Sequence, residues 1–164
     1  MRIFLLSDIN HPCEMLSDMY SLSKFRNDFT KDKYLFVGIR GNIGLALKEA
    51  SEIFEFYLKQ CCPVGYEIEG IEVESNLYEA IKGMDIICTD SIPKESVWDF
   101  RNYQVISEMM SLANDNSILN PCPPFYRGEE VSEDIIRRNY FVGYEFKKYL
   151  LEIQQAIIIF NLLH

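Results

Sequence analysis

No apolar run in this 164-residue chain reaches the roughly 18 to 20 residues needed to cross a bilayer. The longest candidate, residues 156–163, is short and meets His164, so no membrane partner is expected. The opening 1–6 is too short for a signal-peptide core and runs into Asp8 and His11 before any small-residue cleavage site, so a cytoplasmic location is expected. Positive charge is scarce. Lys and Arg number 16 against 25 Asp and Glu, a formal net charge of -9, and such a surface repels a phosphate backbone. Nucleic acid is therefore not expected as a partner. Histidine occurs only twice, and the five cysteines, Cys13, Cys61, Cys62, Cys88 and Cys122, form no C-x-x-C pair. That leaves no metal-ligand set and no disulfide framework, and the thiols read as reduced side chains in a core. There is no internal repeat and no low-complexity segment.

What is present is a hydrophobic content of 48% in a length that suits one compact core, so a single domain over 1–164 is expected. Patterning alternates strand and helix. Apolar strands are expected at 2–7, 34–39, 56–61, 71–74, 84–89 and 117–120, with a last one at 141–146. Helices are expected at 12–25, opened by Pro12, from the Gly-rich turn to about Phe54, at 77–82 behind a Ser75-Asn76 cap, and near 107–113. A further helix start is marked by Ser132, and residues 147–164 form a final helix that is apolar nearly all round and must be covered by something. Strand–helix alternation with continuous apolar strands implies an α/β fold, a three-layer αβα Rossmann-like domain with a mostly parallel sheet. Ligands in such sheets sit beyond the carboxyl ends of the strands, which marks the turns 40–44, 62–66, 89–93 and 120–127.

Three features in those turns carry possible chemistry. Gly38, Gly41 and Gly44 are spaced G-x-x-G rather than G-x-G, with no acidic residue placed for a ribose, so the turn reads as tight helix packing and not as a nicotinamide site. No cofactor is expected. His11-Pro12-Cys13-Glu14 opens a helix, where an imidazole can donate to a carbonyl or phosphate, or simply cap the helix at the surface. Cys122 lies between two prolines with Arg127 five residues on, a positioned thiol beside a cation or a buried Cys in a rigid corner.

In order along the chain these segments resemble the aspartate and ornithine carbamoyltransferases, specifically their carboxyl-terminal, amino-acid-binding half. Ser7-Asp8 with His11-Pro12-Cys13-Glu14 is similar to the family's S-D-x-x-H-P-C-Q, and 34–42 to the strand and D-G-N-N turn that follow it. Pro63-Val64-Gly65-Tyr66-Glu67 resembles P-K-G-Y-E, and Ala80-Ile81-Lys82-Gly83-Met84-Asp85 resembles A-V-K-G-A-D before the strand ending in Thr89-Asp90. Tyr103-Gln104-Val105 matches a family tripeptide, and 122–131, C-P-P-F-Y-R-G-E-E-V, is close to C-L-P-A-H-R-G-E-E-V, the most specific of these matches. Gln154 and Ala156 in the final helix also fit.

The resemblance implies transfer of a carbamoyl group from carbamoyl phosphate to an amine, by positioning and electrostatics without a metal. It implies His11 at the carbamoyl oxygen, Asn42 and Asp90 facing the substrate amino acid, Cys122 beside the attacking amine, and Arg127 in the substrate set; His11, Asp90 and Cys122 are the catalytic candidates. The departures are as informative. The S-T-R-T-R phosphate helix of the family's amino-terminal domain has no counterpart in this chain. Glu14 replaces a Gln, Pro121 and Pro123 replace the His and Leu of H-C-L-P, and the S-M-G loop is shortened to Ser91-Ile92-Pro93-Lys94-Glu95. Where the family has E-N-R-L-H stands Lys148-Tyr149-Leu150-Leu151-Glu152, so an anion-binding Arg is a Leu, and a helix between Glu67 and Ile71 is gone. One charge-assisted contact at a reacting phosphate is worth about 3 kcal/mol, and several are missing. The expectation is a truncated homologue that does not transfer a carbamoyl group alone and acts as an amino-acid-binding, regulatory or scaffold module. The alternative is one half of a split carbamoyltransferase completed by a chain with the phosphate domain. In either case a homo-oligomer or partner chain would cover the first and last helices, which in the family face the missing domain. A thiol enzyme built on Cys122 is a third class, without a His nearby in sequence.

Overall fold

The computed structural model describes residues 11–163; the strand expected at 2–7 lies outside them. Pro12 in the first turn and an alternation of buried and exposed positions form α1, Pro12–Phe25, which buries Met15, Met19 and Leu22. β1, Lys33–Val37, is buried at every residue after the first, as an apolar strand covered on both faces must be. The remaining elements follow as α2 Asn42–Phe54, β2 Tyr57–Cys61, β3 Glu72–Glu74, α3 Leu77–Ala80, β4 Ile86–Thr89, α4 Ser107–Met110, β5 Ile118–Pro121 and α5 Leu150–Leu163. Asn76 caps α3 by accepting from the backbone N–H of Tyr78 and Glu79, and Gly83 at φ +68° turns the chain toward β4.

The five strands are all parallel, in the order β3-β2-β1-β4-β5. The order reverses between β1 and β4, so the crevice at their carboxyl ends is the place this topology offers a ligand. Tyr34 and Phe36 point to one face, where α1 and α2 close a core with Met19, Leu47 and Phe146. Leu35 and Val37 point to the other, covered by Leu77, Ile81 and Met109. The Gly-rich turn is a packing device: a Cβ at Gly44 would stand 2.6 Å from the Phe36 ring and 2.7 Å from Ile68, so only glycine lets α2 lie this close to β1.

Residues 141–146 do not form the expected strand. Phe141 makes one isolated bridge to Leu119, and the chain then coils through a 3-10 turn, Gly143–Lys147. Val142 and Phe146 turn into the α1 side of the core, and the Phe146 carbonyl accepts from both Ser17 and Ser21. The aromatic pattern that read as a strand is the inner edge of that turn. Helix α5 rests on α1 beside Tyr20, whose ring meets Tyr149 edge-on at 5.0 Å, yet none of its residues is buried and Phe160 is 62% exposed. Among the described residues no helix is long and apolar enough to cross a membrane.

Candidate functional site

The carboxyl ends of β1, β4 and β5 and the first turn of α1 surround a cavity of about 350 Å³. His11, Glu14, Asn42, Asp90 and Cys122 line it, with Ser91, Pro93, Pro123 and Pro124 as its outer rim. The sequence-derived candidates His11, Asn42, Asp90 and Cys122 thus meet in one place. Arg127 does not join them: it is exposed and absent from the cavity wall.

His11 precedes Pro12 and does not cap α1 with its side chain. Its Nδ1 lies 2.9 Å from Glu14 Oε2, and its Nε2 lies 3.1 Å from Asn42 Nδ2. Asn42 Oδ1 accepts from the Ile43 N–H at 2.8 Å, which directs its amide N–H toward the imidazole. Both ring nitrogens are thus engaged within the protein, Nδ1 by Glu14 and Nε2 by Asn42.

Glu14 is the centre of a buried ionic group. Its Oε1 lies 2.9 Å from Lys147 Nζ and accepts from the Cys122 thiol at 3.2 Å. Burial would raise its pKa, but Lys147, Cys122 and His11 together hold it below the usual glutamate value. One turn on, Asp18 receives two hydrogen bonds from Lys147, at 2.8 and 3.0 Å, and a third from Asn120 at 3.1 Å. Its near-complete burial outweighs these and raises its pKa to about 6. Burial disfavours the Lys147 ammonium, but the two carboxylates keep its pKa above the ordinary lysine value. Cys122 is pushed up, first by burial and then by Glu14 and Asp90, against the pull of Lys147, so its thiol is protonated at neutral pH. The cation that Cys122 meets is Lys147, 25 residues on, rather than Arg127. No spacing in the sequence signals Lys147; only the 3-10 turn that replaces the expected strand brings it in.

Asp90 sits across the cavity without a lysine or arginine. The Ser91 N–H donates to its Oδ1 at 2.8 Å, while burial, Glu14 and Glu130 raise its pKa to about 6. The loop that carries it is braced from below. Buried Glu130 accepts from the Ile92 N–H at 3.1 Å and the Tyr126 N–H at 2.7 Å, tying the 90–93 loop to the 122–131 segment. The most specific stretch of the sequence, 127–131, therefore acts through Glu130 as a brace. Asp90, with no lysine or arginine beside it, leaves the wall with a negative charge that attracts an ammonium group and repels a phosphate, whereas Glu14 opposite is balanced by Lys147 behind it. Among the described residues no cluster of three or more His, Cys, Asp or Glu is placed to hold a metal ion.

Residues 31–161 match the family model described as aspartate/ornithine carbamoyltransferase, Asp/Orn binding domain. The ornithine carbamoyltransferase of Methylococcus capsulatus is 30% identical over 174 residues, covering 96% of this chain and 58% of that protein. The crystal structure of ornithine carbamoyltransferase from Burkholderia thailandensis superposes with a TM-score of 0.86 at 28% identity, over 95% of this chain and 56% of that one. The anabolic enzyme of Campylobacter jejuni gives 0.87 at 25% identity, over 96% and 60%. The chain spans a little over half the length of the relatives it matches.

Proposed function

The chain belongs to the aspartate/ornithine carbamoyltransferase family and matches its amino-acid-binding domain, and from that premise we propose that it binds an amino acid through its amine and does not by itself transfer a carbamoyl group. The observation that carries this reading is the charge of the cavity: Asp90 faces it without a cationic partner, no lysine or arginine lines it, and Glu14 on the other wall has its charge taken up by Lys147. An amine entering beside Asp90 gains a charge-assisted hydrogen bond, whereas a phosphate meets an unpaired carboxylate and no cation on the wall. Glu14 cannot relax this by taking up a proton, because Lys147 keeps it ionised. His11, spent on Glu14 and Asn42, has no donor left for a carbamoyl oxygen unless that group rearranges. Five unbridged, buried thiols support a reducing compartment such as the cytoplasm.

A thermal-shift titration against ornithine, aspartate and carbamoyl phosphate tests it. At 100-fold excess over its dissociation constant a ligand adds about 2.7 kcal/mol of stability. The expected result is stabilisation by an amine-bearing amino acid and none by carbamoyl phosphate; stabilisation by carbamoyl phosphate alone would overturn the reading.

A second reading, one half of a split carbamoyltransferase, is favoured by α5. Its 14 residues hold one acidic and no basic side chain, none is buried, and Leu151, Ile159, Phe160, Leu162 and Leu163 are all exposed. An apolar groove of about 540 Å³ runs beneath it between Met19, Phe29, Phe54 and Ile157. A second chain, either a copy of this one or one carrying a phosphate-binding domain, would remove that surface from water. Light scattering on the chain alone, then carbamoyl transfer on mixing with such a partner, separates a homo-oligomeric binding module from a split enzyme.

A further inference from the structure

Helix α5 has two sides. At 3.6 residues per turn Ile153, Ile157 and Asn161 form one row, which is half-buried and lines the apolar groove together with Met19 and Tyr20 of α1. Ile159 and Leu162 stand on the far side, 56% and 79% exposed, with Leu151, Ile158 and Leu163 exposed beside them. None of these residues lines the cavity at the strand ends.

The extent and the chemistry of this surface select its occupant. At roughly 200 Å² for a large side chain, Leu151, Ile158, Ile159, Phe160, Leu162 and Leu163 leave on the order of 700 Å² in contact with water. Leu16 and Tyr20, each 40% exposed at the groove, bring this to the roughly 800 Å² that each partner contributes to a standard interface. The largest apolar patch of a typical monomer is only about 300–600 Å². A lipid surface is a poor match, because helices that lie on membranes carry Lys or Arg on their polar side, and α5 has neither in a chain of net charge -9. A second copy fits better. A two-fold contact sets like residues against like, so on an acidic chain it repels wherever carboxylates lie near the axis. Residues 156–163 hold no charged side chain, and Glu152, the single acidic residue of α5, lies about two turns before Ile159. An antiparallel crossing at the carboxyl-terminal half of α5 therefore buries apolar side chains and leaves both copies of Glu152 at the outer ends, in water.

We infer that two copies of this chain pair through the far side of α5, the helices antiparallel about a two-fold axis near Ile159 and Leu162 and the groove rim at Leu16 and Tyr20 covered at the edge of the contact. The inference is independent of what the strand-end cavity binds, and it gives the α5 face to a second copy rather than to a phosphate-binding domain.

Light scattering after size exclusion, with melting curves over a concentration series, tests it. The parent is expected to run at twice the 19.2 kDa chain mass at about 50 µM, with a dissociation constant of about 10 µM or tighter, and to melt higher as concentration rises. Ile159→Lys and Leu162→Lys change residues that face away from α1, so each is expected to keep the helical far-UV signal while weakening pairing at least about 10-fold. The double substitution is expected to give a monomer whose melting temperature no longer depends on concentration. Val64→Lys, at an exposed turn after β2, is expected to leave pairing unchanged. A parent that is monomeric at about 50 µM with a concentration-independent melting temperature would overturn the inference whatever the variants do. So would a dimer that survives the double substitution, an assembly that grows beyond two copies with concentration, or a chain that associates only when a phosphate-binding domain is added.

Discussion

The two walls of the amine-attracting cavity hold buried carboxylates in opposite ways. On the α1 side, Glu14 and Asp18 share the ammonium of Lys147, and Asp18 takes a further donor from Asn120. On the β4 side, Asp90 has the Ser91 N–H and no lysine or arginine. Asp18 and Asp90 nevertheless have similar pKa values, about 6 each. The reasons differ: Asp18 is so deeply buried that even a full set of partners does not compensate, whereas Asp90 is less enclosed but unpaired and faces Glu14 across the cavity. A carboxylate whose partners are all internal belongs to the fold, and one left without a cation at an open cavity is available to a ligand.

The sharpest way to break this contrast is to remove Lys147. Lys147→Met leaves two buried carboxylates without their cation, and stripping one partner from such a group costs about 3–5 kcal/mol. For a chain of this size that lowers the melting temperature by roughly 10 °C at pH 7.5. Part of the loss returns at pH 5, where the stranded carboxylates take up protons. The combination of Lys147→Met with Glu14→Gln and Asp18→Asn recovers most of it, and a single variant as stable as the parent would show that α1 is not anchored this way.

Asp90→Asn acts with the opposite sign. The folded-state pKa of Asp90 lies near 6, above the ordinary 3.8, so the folded chain binds the proton more tightly than the unfolded chain. Its carboxyl therefore lowers stability as pH rises from about 4 to about 6, and the full cost persists above that. The asparagine variant keeps the acceptor for Ser91 and removes the charge. It is expected to be more stable than the parent by about 1–3 kcal/mol at pH 7.5, with the gap closing toward pH 4, and to lose stabilisation by ornithine. Melting curves across pH 4 to 8 check the first part and the ligand titration the second.

The two walls were not equally legible in the sequence. Continuous apolar strands, Pro12 at a helix start and the Asn76 cap are local signals, and they mark α1, α2, the parallel sheet and the four strand-end turns. Asn42 and Asp90 stand in two of those turns, so local signals place the β1–β4 side of the cavity, and the family resemblance picks out these two residues within it. The α1 side depends on a partner 129 residues from Asp18, delivered by a segment whose apolar spacing fits a strand as well as a 3-10 turn. Short apolar runs do not separate these two conformations, and the choice is made by Phe146 entering the core. Glu14 shows the same limit. Seen as a letter it is a charge in place of an amide; its meaning changes once Lys147 is beside it.

Smaller effects test whether Cys122 belongs to the paired wall or to the open one. Its thiol donates to Glu14 and is raised above the ordinary cysteine value, mainly by burial, so it should behave as a structural group. In the native chain at pH 8, alkylation of Cys122 is expected to be no faster than that of buried Cys61, whose pKa is raised to about 12. Cys122→Ala should cost about 1 kcal/mol, the worth of one modest hydrogen bond and its packing. Rapid, selective alkylation of Cys122 would instead make it a reactive group and revive a thiol chemistry at this site.

Arg127 carries the smallest expected effect and isolates what the family resemblance contributes on its own. The motif that contains it matches closely, and by resemblance it belongs to the substrate set; in the fold it is exposed and outside the cavity, while Glu130 of the same motif is buried and braces both loops. If function follows the geometry, Arg127→Ala changes stability by no more than about 0.5 kcal/mol and leaves the midpoint of an ornithine titration within a factor of two. The loop can bring the guanidinium inward only by swinging residues 126–128 against the Glu130 anchor at the Tyr126 amide, so a large loss of amino-acid binding in this variant would mean that the bound state rearranges the brace. Repeating the titration in 0.5 M salt separates the two cases further. A direct contact from Arg127 to a ligand carboxylate in an enclosed site resists screening, whereas a long-range effect of one surface charge disappears at a Debye length of about 4 Å.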